Sequence, residues 1–394
     1  MWEFGDSKMS NKKNVLFVIS TLTGGGAERT VSTLSKFLSK EMNCSVLLNS
    51  VSNEDYEFVG EKLCLGMLPR VKKNIFYQIV AAGKRYIKLK ELKKSGRYDV
   101  VISFMESANF LNILTGKYGT KRILSVRNVL TEEYTGFSKL ILYVAKILYK
   151  KADYVVVLSE AALRDLTENV GVPKKKGITI YNGYDLTNIK EKTFGERTNF
   201  ITMGRLVHQK GQWHLIRAFN KVVSKYPEAT LKILGQGELE GQLKEIIDYY
   251  GIQDKVELLG FVNNPSDYLY KGDCFVFPSV YEGFGNALIE ALMNGLPIIA
   301  SDFTVAREVL APEMNMSEKI KGISEGLYGI IVPASSPIII DGKQELEESE
   351  EMLADAMIAF IEEKIGNNYD NLNRRECLER FSIEKAIEAW KNIM

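Results

Sequence analysis

The chain contains 394 residues, of which 45% are hydrophobic, and its formal net charge is +1. A chain of this length and apolar content can form two domains, each with its own core. Its longest apolar runs fall well short of the roughly 20 residues that cross a bilayer, and its first residues lack the apolar segment of a signal peptide. We therefore expect neither a transmembrane helix nor a secretory leader. Met9 offers an alternative start, so residues 1–8 are left out of the fold prediction.

The histidines and cysteines do not form a metal-binding pattern. Both histidines lie close together in sequence, and the cysteines are scattered without zinc or redox spacing: His208, His214, Cys44, Cys64, Cys274 and Cys377. We expect the reduced thiols of a cytoplasmic protein and no metal site.

Charge is distributed unevenly along the chain. Residues 1–190 carry a formal charge of +12 and the remainder −11, which suggests two domains with different partners.

In the basic half, Arg70–Arg97 holds ten Lys or Arg residues and one acidic residue, and Lys139–Lys151 also interleaves lysines with apolar and aromatic side chains. Such segments favour contact with an anionic membrane surface, although core-facing helices with solvated lysines give the same pattern. No nucleic-acid-binding motif is present, so nucleic acid is not expected as a partner.

Short apolar runs alternate with longer segments of helical period, which predicts parallel sheets built from βαβ units. In the first half, strands are predicted at Asn14–Ser20, Cys44–Leu48, Asp99–Phe104, Ile123–Val126, Tyr154–Leu158 and Ile178–Tyr181. In the second half, they are predicted at Phe200–Met203, Thr230–Leu234, Val256–Leu259, Cys274–Phe277, Pro297–Ala300 and Gly329–Val332. The polar segment Gly183–Asn199 between the two sets resembles a linker. The predicted fold class is α/β, with two doubly wound, Rossmann-like domains of parallel sheet facing across a cleft.

These elements set the predicted domain boundaries. The N-terminal domain covers residues 1–188 and the C-terminal domain covers 189–380. A final helix over 381–394 is expected to pack back on the N-terminal domain. Ala311–Gly326 and Ala334–Glu351 are predicted to be surface excursions, the second ending in an acidic helix start.

Three consecutive glycines follow the first predicted strand. Within Thr23–Arg29, Gly25 and Gly26 stand where a helix begins, and their backbone can approach a phosphate closely. An ordinary tight turn explains them equally well.

Two further strands of the first half end at polar residues on the same predicted edge. Glu106 follows one strand, and Arg127 and Asn128 follow the next. An arginine here suits a leaving phosphate or an anionic acceptor. The alternative is a salt bridge from Arg127 to Glu132 or Glu133.

The first strand of the second half leads into a loop with two cations. Arg205 and Lys210 follow Gly204, and together they can converge on a diphosphate; solvated surface charges are the alternative. Val262, after a later strand, is placed to contact a nucleotide base, or to pack in the core. The turn Gly235–Gly237 also lies at a strand end.

The most informative segment follows the apolar run Cys274–Pro278. Glu282 lies in the turn and Glu290 lies about two turns into the next helix, with Phe284, Gly285 and Asn286 at the helix start. Backbone N–H groups at a helix N-terminus bind anions, and carboxylates bind hydroxyl groups. The pattern therefore predicts a sugar nucleotide as ligand.

Taken in order, these motifs resemble the family 4 glycosyltransferases, which are retaining enzymes of the GT-B fold, including those of bacterial surface-polysaccharide synthesis. The resemblance covers most of the chain and rests on these segments: Gly24–Arg29, Ser125–Asn128, Gly204–Leu206, Lys210–Gly211, Gly260–Val262, Pro278–Glu290, Gly295–Ser301 and Arg307–Glu308. Two positions depart from the family pattern. No histidine precedes His208, where relatives keep one in the N-terminal domain, and Phe303–Ala306 replaces a glycine-rich loop.

The resemblance implies roles for the matching residues. Glu282 would contact the donor sugar and Glu290 the ribose, while Arg205 and Lys210 would stabilise the departing diphosphate. Arg127 is grouped with these catalytic residues. The other implied donor-binding positions are Gly25, Gly26, Gly204, Val262, Phe284, Gly285 and Asn286. The implied acceptor-side positions are Glu106 and Asn128.

The sequence and the resemblance together predict a retaining glycosyltransferase. It would move a hexose or N-acetylhexosamine from a UDP-sugar to a glycan acceptor, lipid-linked, with an acceptor-binding N-terminal domain peripheral to the inner face of the cell membrane. No cofactor is expected, and since no D-x-D motif is present, we expect metal-independent chemistry. The alternatives are transfer to a soluble or protein acceptor, a non-catalytic nucleotide-sugar-binding subunit, and an epimerase or phosphorylase on the same fold.

Overall fold

A computed structural model of the chain describes residues 12–67, 75–134, 136–192, 197–316, 318–339, 341–365 and 371–394. These residues form two compact units. The first contains the described residues up to Leu158, together with Ala162–Gly183 and Ala386–Met394, and the second contains Ser159–Ala161 and Tyr184–Lys385. The predicted extension at residues 1–8 lies outside the described residues.

The first unit is built on a sheet of seven parallel strands in the order β3-β2-β1-β4-β5-β6-β7. The strands are β1 (Asn14–Val18), β2 (Asn43–Leu48), β3 (Glu61–Cys64), β4 (Val100–Phe104), β5 (Lys121–Ser125), β6 (Tyr154–Val157) and β7 (Gly177–Thr179). In the register, Val15 lies opposite Cys44 on one side and Val100 on the other. The central strands are buried on both faces, as expected of a parallel sheet covered by helices.

Helices alternate with these strands. They are α1 (Gly26–Leu38), α2 (Ile75–Lys94), α3 (Glu106–Leu114), α4 (Leu130–Glu133), α5 (Leu140–Leu148) and α6 (Glu160–Arg164). α1 forms because Ala27, Val31, Leu34 and Leu38 recur at helical spacing and are all buried. Short 3₁₀ turns at Gly136–Lys139 and Tyr149–Lys151, and a π-helical turn at Asp165–Asn169, complete this part of the chain.

The second unit repeats the plan with a sheet in the order β10-β9-β8-β11-β12-β14-β13, parallel except for the β13–β14 pair. Its strands are β8 (Asn199–Met203), β9 (Thr230–Leu234), β10 (Val256–Gly260), β11 (Cys274–Phe277), β12 (Ile298–Ser301), β13 (Ser324–Glu325) and β14 (Ile330–Val332). Its core includes Trp213, Phe219 and Phe360, which are completely buried.

The remaining helices follow in chain order. They are α7 (Gln212–Lys225), α8 (Glu240–Tyr250), α9 (Pro265–Leu269), α10 (Asn286–Met293), α11 (Thr304–Leu310), α12 (Glu348–Ile361), α13 (Asn371–Glu379) and α14 (Ile383–Ile393), with 3₁₀ turns at Leu186–Asn188 and His208–Lys210. The C-terminal end of α14 belongs to the first unit, where Trp390 packs against Phe104 with ring centroids 6.3 Å apart.

The prediction of two doubly wound α/β units is confirmed, and each predicted strand overlaps an observed one. Two strands were missed. β3 is an exposed edge strand without an apolar run, and β13 has only two residues. Within the expected linker Gly183–Asn199, Tyr184 and Lys190 donate backbone hydrogen bonds of 2.9 and 2.8 Å to Phe381 and Met293, so these two residues pack on the second unit.

The excursion predicted at Ala334–Glu351 is also less solvated than expected. Glu350, in the first turn of α12, is completely buried and accepts hydrogen bonds from Arg217 Nε at 2.8 Å and His214 Nδ1 at 2.7 Å. His214 Nε2 lies 2.9 Å from the carbonyl oxygen of Ser336. Glu350 therefore ties the helix start to α7, whereas Glu348 in the same turn is exposed.

Candidate active site

The strand order of the second sheet reverses between β8 and β11. These neighbouring parallel strands are followed by α7 and α10 respectively, so the loops that leave their carboxyl ends begin side by side. In doubly wound sheets, ligands bind outside the strand ends at such a reversal. The loops here are the segments that hold Lys210 and Glu282.

Lys210 and Glu282 form an ion pair across these two loops. The Lys210 ammonium donates to Glu282 Oε1, and the two side chains are only 15% and 7% exposed. The same carboxylate accepts hydrogen bonds from Ser279 Oγ at 2.9 Å and from Gln209 Nε2 at 3.4 Å. The ammonium also lies 5.3 Å from the centroid of the Phe277 ring. Both charged groups are thereby held in fixed positions at the sheet edge.

A glycine permits this close approach of the loops. Gly211 has φ +61°, and a Cβ there would stand 2.2 Å from the carbonyl oxygen of Pro278. Only glycine fits this combination of left-handed backbone and contact. A hydrogen bond of 2.9 Å from the Val280 amide to the Gln209 carbonyl joins the loops at the next position.

Arg205 lies at the exposed side of the same site. Its guanidinium makes no hydrogen bond or ion pair within the described part of the chain, while its carbonyl accepts a 3.1 Å hydrogen bond from buried Gln212. Gly235 supports this loop, because a Cβ there would stand 1.9 Å from the carbonyl oxygen of Gly204. The backbone of the loop is thus fixed and its cationic side chain faces solvent.

The predicted helix start on the second loop is present. Gly285 precedes α10, whose first residue, Asn286, accepts a 2.6 Å hydrogen bond from the Tyr184 hydroxyl. Phe284 is buried against Phe381, with ring centroids 5.5 Å apart. Glu290 lies in the second turn of α10 and is half-buried.

The remaining predicted donor residue of this unit lies farther along the sheet. Val262 follows β10, the edge strand, which is separated from β8 by β9. It is half-buried, next to Phe261, which is 69% exposed.

In the first unit, Arg127 joins three segments. Its guanidinium donates to Thr30 Oγ1 of α1 at 2.7 Å and to Asn182 Oδ1 at 2.6 Å, and lies 5.8 Å from the Phe104 ring centroid. Gly25 and Gly26 begin the same helix, α1. Arg127 and the glycine turn are therefore brought to one edge of this unit.

A second polar group in this unit contains Glu106 and Asn128. The Tyr134 hydroxyl donates to Glu106 at 3.0 Å, and Asn128 donates to Glu133 at 3.0 Å. Burial, followed by repulsion from Glu133, raises the pKa of Glu106 to about 7. Burial also raises the pKa of Glu133. Two carboxyl groups that resist ionisation thus lie near the carboxyl ends of β4 and β5.

Several contributing residues were not predicted. Gln209 directly precedes Lys210, and Ser279 lies three residues before Glu282, so their nearness in sequence to these residues was an available signal. Tyr134, Thr30 and Asn182 carried no such signal, because only the fold brings them to the polar groups they contact.

The described ranges contain no group of three or more His, Cys, Asp or Glu residues arranged to hold a metal ion. Across the same ranges, each helix is too short or too polar to cross a membrane.

Comparison with known proteins adds to this geometry. Residues 24–188 match the family described as Glycosyltransferase Family 4, and residues 186–317 match Glycosyl transferases group 1. An uncharacterised glycosyltransferase of Methanocaldococcus jannaschii is 38% identical over 334 residues, which cover 78% of this chain and 82% of the relative.

Two further proteins resemble this chain, one in sequence and one in fold. The N-acetylgalactosamine-N,N'-diacetylbacillosaminyl-diphospho-undecaprenol 4-alpha-N-acetylgalactosaminyltransferase of Campylobacter jejuni is 30% identical over 305 residues, covering 75% of this chain and 82% of the relative. The solved structure of Anabaena HepE in complex with UDP and glucose matches with a TM-score of 0.73 and 18% identity, covering 96% of this chain and 98% of that chain. At that identity, the second match shows a shared fold alone.

Proposed function

The chain belongs to family 4 of the glycosyltransferases, with the GT-B fold, and we propose that it transfers a hexose or N-acetylhexosamine from a UDP-sugar to a lipid-linked glycan with retention of anomeric configuration. The observation that carries this proposal is the buried pair of Lys210 and Glu282 at the strand-order reversal of the second unit.

The pair suits the two halves of a sugar nucleotide. Cleavage of the sugar–phosphate bond leaves negative charge on the departing diphosphate, and a preorganised cation aimed at that charge lowers the barrier. Lys210 supplies a fixed cation and exposed Arg205 a second one. Glu282 would bind hydroxyls of the transferred sugar, and Glu290 would bind the ribose.

Retention follows from attack on the same face that the diphosphate leaves. The departing phosphate oxygen takes the proton from the acceptor hydroxyl, the new glycosidic bond forms, and the old sugar–phosphate bond breaks. In this scheme Lys210 and Arg205 supply the charge stabilisation that other enzymes draw from a metal ion. We therefore propose metal-independent turnover.

The lipid-linked acceptor is supported by the surface of the first unit. On α5, Leu140, Tyr143 and Ile147 are 68%, 64% and 48% exposed and form one stripe at helical spacing. Lys139, Lys146 and Lys150 flank this stripe and are exposed. An exposed apolar stripe flanked by cations fits the interface of an anionic membrane. The Campylobacter relative named above acts on a diphospho-undecaprenol acceptor.

The test is UDP release from a panel of UDP-sugars, with and without a membrane lipid extract, by wild type, Glu282→Ala and Glu240→Ala. Glu240 lies at the start of α8 in the same unit, its side chain is 42% exposed and it pairs with Lys244, so its variant controls for lost charge. Release from one sugar that is lost in Glu282→Ala but kept in Glu240→Ala supports the proposal. Equal release by all three proteins would contradict the role of Glu282. Turnover with GDP-sugars alone would contradict the UDP donor.

A further inference from the structure

Helix α2 carries two charged residues on its buried face. Ala81, Arg85, Leu89 and Lys93 recur every four residues, and all four are at least 95% buried. Alanine and leucine suit such a face, but two cations do not, because removing a charge from water is costly unless a partner compensates it. Each cation therefore needs an explanation.

Lys93 is explained by the fold. Its ammonium donates to the side-chain oxygen of Asn112 at 2.8 Å, to the carbonyl oxygen of Asn112, and to the carbonyl oxygen of Gly116 at 3.0 Å. These acceptors lie at the C-terminal end of α3, where the helix dipole favours positive charge. All three donors of this lysine are used.

Arg85 has no comparable compensation. Its guanidinium donates to Asn49 Oδ1 at 3.0 Å, Ser20 Oγ at 2.9 Å and Ser107 Oγ at 3.5 Å, all neutral groups. Within the described ranges no carboxylate pairs with it. Burial lowers its pKa to about 10 with no offsetting acidic neighbour.

The surroundings of Arg85 increase the positive potential. Ser20 and Asn49 lie just past β1 and β2, and Ser107 lies in the first turn of α3, after β4. The guanidinium thus meets the N-terminal end of α3, which carries positive partial charge, at the sheet edge where the strand order reverses between β1 and β4. Met105, immediately before α3, is a non-glycine residue at φ +70°, a strained conformation found most often at functional sites.

We propose that Arg85, with Ser20, Asn49 and Ser107, forms an anion site in the first unit that binds the diphosphate of the acceptor. Ser107 is exposed and Ser20 and Asn49 are half-buried, so the polar partners open toward solvent while the guanidinium is held beneath them. A bound phosphate would supply the missing negative charge and accept hydrogen bonds from the guanidinium and both hydroxyls. This assignment rests on the proposed function for the identity of the acceptor, but the anion site itself does not.

The first experiment measures stabilisation of the full chain by inorganic pyrophosphate in thermal unfolding. All variants are made in a Lys210→Ala background, which removes the cation proposed to bind the donor diphosphate. Adding Arg85→Gln should raise the apparent Kd for pyrophosphate about tenfold or more, while the melting temperature without ligand stays the same or rises. An unchanged Kd would overturn the proposal. A melting temperature several degrees lower without ligand would also overturn it, because that result would show that Arg85 serves to stabilise the fold.

Two further variants sharpen this result. Arg122→Gln removes another arginine of the same unit, one that already has an acidic neighbour in Asp153, and it should leave pyrophosphate binding intact. Ser20→Asp places a carboxylate beside the guanidinium, and it should raise the melting temperature and abolish pyrophosphate binding because the site is then occupied from within the chain. Ser20→Asp keeps Arg85 in place, so it tests the proposal even if Arg85→Gln does not fold.

The final comparison separates the acceptor from the donor as the source of the diphosphate. Farnesyl diphosphate and UDP are titrated against wild type, Arg85→Gln and Lys210→Ala. The proposal requires Arg85→Gln to weaken farnesyl diphosphate and leave UDP unchanged, with the reverse for Lys210→Ala. Loss of UDP binding in Arg85→Gln would assign the site to the donor and overturn the acceptor assignment. If no UDP-sugar is turned over but these binding results hold, the proposed function fails while the anion site stands.

Discussion

The ammonium of Lys210 donates a hydrogen bond to the carboxylate of Glu282, and this contact links the loops that follow two adjacent strands of the second sheet. Because each residue is largely buried, neither charge is free to reorient toward solvent. This fixed pair is the basis of the proposal that the site binds a ligand with a diphosphate beside a hydroxyl-rich ring.

Replacing Lys210 by alanine should reduce kcat by about 100- to 1000-fold, which is the effect of removing one preorganised group at a developing charge. The fold should persist, because Ser279 and Gln209 still donate to Glu282. Steady-state UDP release and circular dichroism measure the two effects. Lys244→Ala, which removes an exposed lysine of the same unit, serves as the control, and near-normal activity of Lys210→Ala would remove this residue from the leaving-group role.

Glu106 should make the first unit less stable as pH rises. Its pKa is raised from 4.5 to about 7 in the folded chain, so between these values the folded state holds a proton that the unfolded state has lost. The free energy of unfolding should therefore fall by about 3 kcal/mol from pH 4.5 to pH 7 because of this group. Urea unfolding at pH 5 and pH 8 should show a smaller difference in Glu106→Gln than in wild type or in Glu91→Gln, an exposed acid of the same unit. An identical pH dependence in all three would contradict the raised pKa.

The buried pair of Arg217 and Glu350 should be important for the second unit. Burial alone would raise the pKa of Glu350, but hydrogen bonds from His214 and Arg217 lower it, so the carboxylate stays charged. Arg217→Met leaves that charge without its main partner and should cost about 3–5 kcal/mol of unfolding free energy. The control is Lys221→Met, whose partners Glu351 and Asp355 have side chains that are 44% and 53% exposed; its loss should cost less than about 1 kcal/mol. Similar losses in both variants would argue against a special role for the buried pair.

Chelation should leave turnover intact. The proposed charge stabilisation comes from Arg205 and Lys210, so EDTA should not change the rate of UDP release once a UDP-sugar substrate is identified. A strong inhibition that Mg²⁺ or Mn²⁺ restores would show that the enzyme needs a metal ion.

Membrane binding should depend on both charge and the exposed stripe of α5. Flotation with anionic liposomes should weaken as salt rises, because salt screens surface charge, and it should weaken further when Leu140, Tyr143 and Ile147 are replaced by serine. Tyr249→Ser, which removes an aromatic side chain of the second unit that is 54% exposed, should bind like wild type. Absence of flotation, or flotation insensitive to salt, would refute the membrane surface.

The regular alternation of apolar runs and helical segments determined the fold class. A strand buried on both faces of a parallel sheet needs a continuous apolar run, and such a run is visible in the sequence. β3 and β13 were not predicted because neither has an apolar run. β3 is an exposed edge strand, and β13 has only two residues. The loop motifs around Lys210 and Glu282 could also be predicted from the sequence, because glycines and charged residues that follow a predicted strand are local features.

Only the tertiary structure decided which of these residues meet. Lys210 and Glu282 are 72 positions apart, and their contact depends on β8 and β11 being neighbours in the sheet. Arg85 shows the same limit more sharply. In the sequence it is one of ten basic residues between Arg70 and Arg97, but the packing of α2 turns it inward to Ser20, Asn49 and Ser107. A sequence records that a charge is present, whereas its cost and its use depend on burial and on partners that the fold brings from distant positions.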